Sequence, residues 1–349
     1  MDLSTARQLA HDLADHRVVT AETLRLAGVD GAAIHLARRR DVLQSVPGLD
    51  GVYVVGPEPY SDTVRMHLAS RWAGPGAIVS GLWAARELSL PWVPEGGNCF
   101  VRIGAERKRR GSESFVTVCR TVDLERIDCV ELDGLLVASV PHAVIDACRQ
   151  VSANGLRAPD VRLRDSRGLV LGALSTKRCS TEALERALAM GSVRHTADAR
   201  RALRDAERGA ASPPEAEVVD VLLGYGVPFY CNVEVYVRGV LICVLDFYLV
   251  GTGVGGEMDS KQEHEAPDKL DATLLRHRIV EGLDLDLHHI TPARFRAAPA
   301  AYASTLLAAA QSRRAAGLGD PPGIEFRPRG PLLCGPRSAI TPYVVPAAA

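Results

Sequence analysis

Apolar positions recur along this chain in two periods, and the switches between them mark out the elements. From Leu3 to Asp15 the spacing is helical, with acidic residues on the polar face. Thr20 then caps a short helix through Leu26, with Glu22 in its first turn, and Gly28 ends it. Asp30 caps a third helix from Gly31 to about Val42, which turns Ile34, Leu36 and Ala37 inward and Arg38, Arg39 and Arg40 outward. Two short runs, Leu43–Val46 and Gly51–Val55, read as strands joined by Pro47-Gly48-Leu49-Asp50.

Three helices followed by a hairpin, over residues 1–57, is the element order of a winged helix. Its second and third helices form a helix-turn-helix, a motif that lays its last helix in the DNA major groove. Arg38, Arg39 and Arg40 are therefore candidate DNA contacts, the alternative being a solvated basic face.

Residues 58–210 read as a mixed α/β middle. The pattern predicts helices over Thr63–Trp72 and Ala77–Leu88, the latter capped by Ser80, and strands at Asn98–Ile103, Phe115–Arg120 and Leu135–Ser139. The basic loop around Arg107, Lys108, Arg109 and Arg110 is read as a solvated hairpin rather than a phosphate patch, with Arg102 counted in it. Pro141 starts a helical stretch that continues through Leu169–Leu174, Thr181–Ala189 and Ala197–Glu207. Gly209–Pro214 is the clearest linker.

Residues 211–315 return to α/β. Ser212 and Glu215 form a capping box on a helix reaching Gly224. Strands are expected at Asn232–Val237, Val240–Leu249, Val254–Ser260 and Asp286–Ile290, and helices at Asp268–Gly282 and Ala298–Arg313. Residues 316–349 hold seven of the 21 prolines and read as a poorly ordered tail or extended arm.

Composition narrows the function classes. Hydrophobic residues make up 47% and charged residues 24%, which excludes a mainly disordered or fibrous chain. The net charge is -1, so nucleic-acid affinity must come from local basic patches. No apolar run of about 18 residues predicts a membrane span, and the first residues lack the basic and apolar regions of a secretory signal, so a cytoplasmic protein is expected. The eight cysteines form no CxxC pair and read as small buried hydrophobes with reduced thiols. Trp72, Trp83 and Trp92 read as packing residues. Gly251–Gly256 satisfies GxGxxG but opens onto Glu257 rather than a helix, so no nucleotide cofactor is expected and the glycines read as a flexible turn.

The chemistry concentrates in the last third. Asp246 interrupts an apolar strand, and Glu257, Asp259 and Lys261 alternate, so on a strand they share one face. Glu215 lies on the preceding helix. Carboxylates gathered this way hold a hard divalent cation such as Mg2+ or Mn2+, while a nearby lysine orients water or stabilises developing charge. The alternatives are an arginine salt bridge for Asp246, a solvated strand end for Glu257 and Asp259, and a purely capping role for Glu215. Residues 257–286 carry nine acidic and four basic side chains, which favours metal recruitment over unaided DNA binding there. His264, His277, His288 and His289 cluster in sequence, but without the spacing of a zinc hydrolase.

Over roughly residues 212–300, the succession Glu215, Asp246-Phe247-Tyr248, Gly256-Glu257-Met258-Asp259-Ser260-Lys261, His264, Thr273–His277 and His288-His289-Ile290-Thr291-Pro292 resembles actinobacterial relatives of the very-short-patch-repair endonuclease, within the PD-(D/E)xK nucleases. Ser260 stands where that group has glycine, and Asp259 where the superfamily often has lysine; Lys261 is left to substitute for it. The resemblance implies a restriction-endonuclease-like α/β domain in which Asp246 and Glu257 bind the metal, Glu215 and Asp259 assist, and Lys261 or His264 acts near the phosphate. The front of the chain, through Gly51–Gly56, Ala77–Ala85 and Pro141–Asp146, is similar to AbiEi-family antitoxins. That similarity implies operon repression and a cognate toxin or a second copy as partner. The sequence thus predicts an α/β multidomain protein: a DNA-binding protein with a metal-dependent nuclease-type domain or, alternatively, a non-catalytic antitoxin-like repressor.

Overall fold

The computed structural model describes residues 3–56, 59–108, 115–259 and 282–335. The chain divides into two compact units, Met1–Arg200 and Arg201–Ala349. Residues 1–57 and 58–200 fall in the first of these units and residues 201–210 in the other.

In the first unit, α1 (Leu3–Leu13) and β1 (Val18–Thr20) lead to α2 (Ala21–Leu26) and α3 (Gly31–Arg39). Thr20 and Asp30 cap α2 and α3 as expected, accepting from the backbone N–H of Thr23 and Ala33. β2 (Leu43–Ser45) and β3 (Val52–Val55) follow, and β1, which the period did not reveal, completes an antiparallel sheet ordered β1-β3-β2. Leu24, Ile34, Ala37, Leu43 and Val55 close the core beneath it. Leu36 is 41% exposed and lies outside that core, a correction to its inward placement.

The same unit continues with α4 (Asp62–Ala73), β4 (Ile78–Ser80), α5 (Gly81–Glu87), β5 (Cys99–Gly104), β6 (Val116–Thr121), β7 (Cys129–Leu132) and β8 (Leu135–Ala138). Four helices then follow: α6 (Val140–Ala153), α7 (Pro159–Ser175), α8 (Thr181–Ala189) and α9 (Ala197–Glu207), whose last residues enter the second unit. The sheet order is β6-β5-β4-β8-β7. Ile78 and Val79, expected in a helix, form a sheet strand instead, because two adjacent β-branched residues suit the pleated interior. β5 and β6 pair in parallel, so the basic segment between them is not a hairpin. Arg102 is not on that loop: it is buried in β5, bridged to Asp146 of α6.

The second unit holds α10 (Pro213–Leu223), β9 (Phe229–Val237), β10 (Val240–Leu249), β11 (Val254–Met258), β12 (Asp286–Ile290), α11 (Pro292–Ala297), α12 (Pro299–Ala315) and β13 (Ile324–Pro328). The sheet runs β12-β11-β10-β9-β13; β11 and β12 pair in parallel and the other neighbours antiparallel. One core cluster joins Phe247, Leu249 and Cys231 to residues of α10, α11 and α12; a second gathers Val233, Val235, Cys243, Leu245 and Tyr248. Strict alternation would keep Cys231, Val233 and Val235 on one face. Asn232, at φ 51°, breaks it, and β9 and β10 exchange faces there, opposite Asp246.

Three expectations change in this unit. Residues 316–335 are not a loose tail: β13 pairs with β9, and Phe326 stacks on Tyr248 at 4.1 Å. Gly209, expected in a linker, accepts a 2.8 Å hydrogen bond from Asn232 and packs against Gly330. Gly255 and Gly256 are not part of a flexible turn but lie within β11; a Cβ on Gly256 would stand 2.5 Å from the Tyr302 hydroxyl, and one on Gly255 would stand 2.8 Å from Leu287. The predicted helix at Asp268–Gly282 lies outside the described residues apart from its last position. All eight cysteines are free, but Cys129 and Cys334 are exposed rather than buried. Trp72 and Trp83 are core residues, whereas Trp92 is 44% exposed. Among the described residues, no helix is long and apolar enough to cross a membrane.

Candidate metal centre

The site begins with the end of a strand ladder. β10 and β11 pair from Leu249↔Val254 to Phe247↔Gly256, which brings Asp246 and Glu257 level one step further on. There the Asp246 carboxylate takes over from the backbone: its Oδ2 accepts the Met258 N–H at 2.7 Å. An acidic residue inside an apolar strand thus caps the ladder where it stops.

Met258 and Ile290 pack toward the cluster containing Phe247 and Tyr302. Alternation sends their neighbours Glu257, Asp259 and His289 to the opposite face. The parallel β11/β12 register pairs Glu257 with His289 directly, and the Asp259 N–H continues the ladder to the Ile290 carbonyl at 2.9 Å. The His289 Nδ1 stands 3.3 Å from Asp259 Oδ1 and 3.8 Å from Glu257 Oε2. The donor atoms of Glu257, Asp259 and His289 all lie within 4.8 Å of one another. Glu257 is buried, with 6% exposure; Asp259 is half-buried and His289 exposed. Two carboxylate oxygens and an imidazole nitrogen at this spacing fit a divalent cation.

The field of the carboxylates is felt nearby. The Tyr302 hydroxyl donates to the His288 carbonyl at 3.0 Å. Burial first, then the charges of Asp246, Asp259 and Glu257, hold its proton far more firmly than usual. The Cys231 thiol is likewise pushed up, by burial and then by Glu215 and Asp246.

The sequence candidates thus separate. Glu257 and Asp259 come together with His289, and Asp246 lies on the adjacent strand, bonded to the Met258 N–H. Glu215 is engaged at the start of α10 and on β9. Its Oε2 accepts from the Ala211 N–H at 2.9 Å and from Asn232 at 2.7 Å, and its Oε1 accepts from the Ser212 hydroxyl at 2.6 Å. The capping box is real, and it is joined to the Asn232 kink. Lys261 and His264 lie outside the described residues. His289 was not among the residues expected in the site. Its neighbourhood in sequence gave only a histidine cluster, and its role depends on a parallel pairing between distant segments.

In the first unit, Arg38, Arg39 and Arg40 are exposed at the end of α3. The Arg38 guanidinium lies 5.8 Å from the Tyr53 ring centre. His35, Arg38, Arg39, Gln44 and Tyr60 line a cavity of about 450 Å³. Arg107 is turned to backbone, donating to the Ala73 carbonyl at 3.2 Å and to the Pro75 carbonyl. Arg109 and Arg110 lie outside the described residues.

No family model matches the chain. No curated protein matches it. Among solved structures it is similar to the RV2827C protein from Mycobacterium tuberculosis, at 20% identity, over 57% of this chain and 75% of that one, with a TM-score of 0.39.

Proposed function

We propose that this is a DNA-binding protein whose second unit is a metal-dependent nuclease-type domain hydrolysing phosphodiester bonds, in defence, repair or toxin–antitoxin control. The observation that carries the reading is the grouping of Glu257, Asp259 and His289 at the end of β11 and β12, with Asp246 on the neighbouring strand bonded to the Met258 N–H. On this reading the second unit is restriction-endonuclease-like, and residues 3–56 are a winged helix that presents Arg38, Arg39 and Arg40 to DNA.

Asp246 and Glu257 would hold Mg2+ or Mn2+, with Asp259 and His289 completing the set. A bound divalent ion supplies Lewis acidity, lowering the pKa of water and neutralising phosphate charge. The chain's own residues do the rest. Asp246 fixes the strand end through the Met258 N–H, and the parallel register keeps His289 against Glu257. The exposed arginines of α3 neutralise phosphate charge.

The test is cleavage of single- and double-stranded DNA by the full chain with Mg2+ or Mn2+. Asp246→Ala and Glu257→Gln should abolish it while far-UV circular dichroism stays that of the wild type. Wild-type protein that leaves both substrates intact defeats the enzymatic reading.

A second reading, a non-catalytic AbiEi-like repressor with a degenerate nuclease fold, is favoured by one specific observation. The Glu215 carboxylate is engaged by the Ala211 N–H, the Ser212 hydroxyl and the Asn232 side chain, a capping role. DNA retention by the intact chain without cleavage under any divalent ion supports it.

A further inference from the structure

We infer that His289 makes this centre selective for a transition-type divalent cation, Co2+ or Mn2+, over Mg2+, by supplying a nitrogen ligand. The inference rests on the metal reading above and goes beyond it, because two carboxylates alone would serve Mg2+ equally well.

Three observations carry it. First, His289 is placed by backbone, not by a flexible loop: it is the ladder partner of Glu257 in the β11/β12 register. Second, its Nδ1 faces both carboxylates, at 3.3 Å from Asp259 and 3.8 Å from Glu257. Donors bonded to one small ion at about 2.0–2.2 Å sit roughly 3–3.5 Å from each other, so His289 Nδ1 already stands near ligand spacing from each carboxylate, within a group no more than 4.8 Å across. Third, the adjacent histidine is directed elsewhere. His288 Nε2 lies 3.1 Å from Asp286 Oδ1, and its backbone carbonyl accepts the Tyr302 hydroxyl. One imidazole is therefore built into the group and its neighbour is not.

The chemistry of the donors sets the preference. Mg2+ demands oxygen ligands in near-ideal octahedral geometry and gives up water reluctantly. Imidazole suits first-row transition ions, whose affinity for nitrogen-containing sites rises along the series from Mn2+. A mixed oxygen, oxygen, nitrogen set therefore gains more from Co2+ or Mn2+ than from Mg2+.

The experiment is isothermal titration of the full chain with CoCl2, MnCl2 and MgCl2, together with electron spin-echo modulation of bound Mn2+. Co2+ should bind at least tenfold more tightly than Mg2+, and the Mn2+ echo should carry nitrogen-14 modulation. His289→Ala should remove that modulation and lower Co2+ affinity about tenfold, while shifting Mg2+ less than threefold. His288→Ala should keep the modulation. The wild-type echo decides the matter even if His289→Ala misfolds. Ions bound without nitrogen modulation, or Mg2+ bound as tightly as Co2+, overturn the role of His289 and leave the carboxylate site standing. No binding of any of the three ions overturns both.

Discussion

Buried acid serves opposite ends in the two units. In the first, Asp146 is wholly buried on α6 and fully engaged. Arg102 grips it through two nitrogens at 2.6 and 2.5 Å, Arg149 adds a third contact at 3.0 Å, and the Ser80 hydroxyl donates at 2.6 Å. Arg102 in turn reaches Thr121 at 2.9 Å. Burial alone would weaken the hold of Arg102 on its proton, but Asp146 more than reverses this. In the second unit, Glu257 and Asp259 face each other across His289, with Asp246 on the adjacent strand. The first arrangement cancels charge and ties strands β4, β5 and β6 to α6. The second gathers two carboxylates and an imidazole at a strand end. One is a structural joint; the other suits a cation.

The largest effect should come from breaking the joint. Asp146→Ala leaves Arg102 buried without its partner, and such a loss costs about 3–5 kcal/mol. Urea titration should show the midpoint for the first unit falling by an amount matching that loss. Asp146→Asn should fall between the variant and the wild type.

The matching change in the second unit should act in the opposite sense. Glu257→Gln keeps the size of a side chain whose place is set by the β11/β12 register, so stability should change by about 1 kcal/mol or less. Divalent-ion affinity should nevertheless drop at least tenfold by calorimetry. If Glu257→Gln unfolds the domain while sparing metal binding, the two buried acids are alike and the contrast fails.

The histidines sharpen the same contrast. His67 is fully buried on α4, stacked on His16 at 4.0 Å, with neither ring nitrogen hydrogen-bonded. Burial, then the charge of His16, lowers its pKa; Asp15 and Asp133 oppose this and Arg71 adds to it. The folded state thus binds its proton more weakly than the unfolded chain does. The stability it contributes is complete above about pH 6.5 and is lost as the pH falls toward the folded pKa, with a limiting slope of about 1.4 kcal/mol per pH unit. Urea midpoints at pH 7.5 and 5.5 should differ more for the wild type than for His67→Phe.

What could be read from the sequence was local. The Thr20, Asp30 and Ser212 caps are short-range patterns, and β12 was expected over the same five residues, Asp286–Ile290; each matches the structure. What could not be read depends on distant partners. Ser80 precedes a helix but donates to Asp146 instead of capping it. Arg102 looks like a surface residue until Asp146, 44 positions away, is seen beside it. Proline density hid β13, although Pro328 is tolerated at the end of an edge strand. That Glu257 and Asp259 share a face was legible, because alternation sets it. His289 was not, because nothing local announces parallel pairing.

The smallest effect tests whether Glu215 belongs with the joint or with the metal. Ser212→Ala removes the acceptor for the Glu215 N–H and a donor to its carboxylate, at a cost of about 1 kcal/mol, as for other cap deletions. Glu215→Gln keeps a side-chain oxygen to accept one of the hydrogen bonds but removes the charge. Since the carboxylate is held by Ala211, Ser212 and Asn232, this variant should leave metal affinity within twofold of the wild type by calorimetry. A tenfold loss would move Glu215 out of the α10 cap and into the metal's field. The second unit would then use a buried acid for charge and for structure at once, and the division between the two units would disappear.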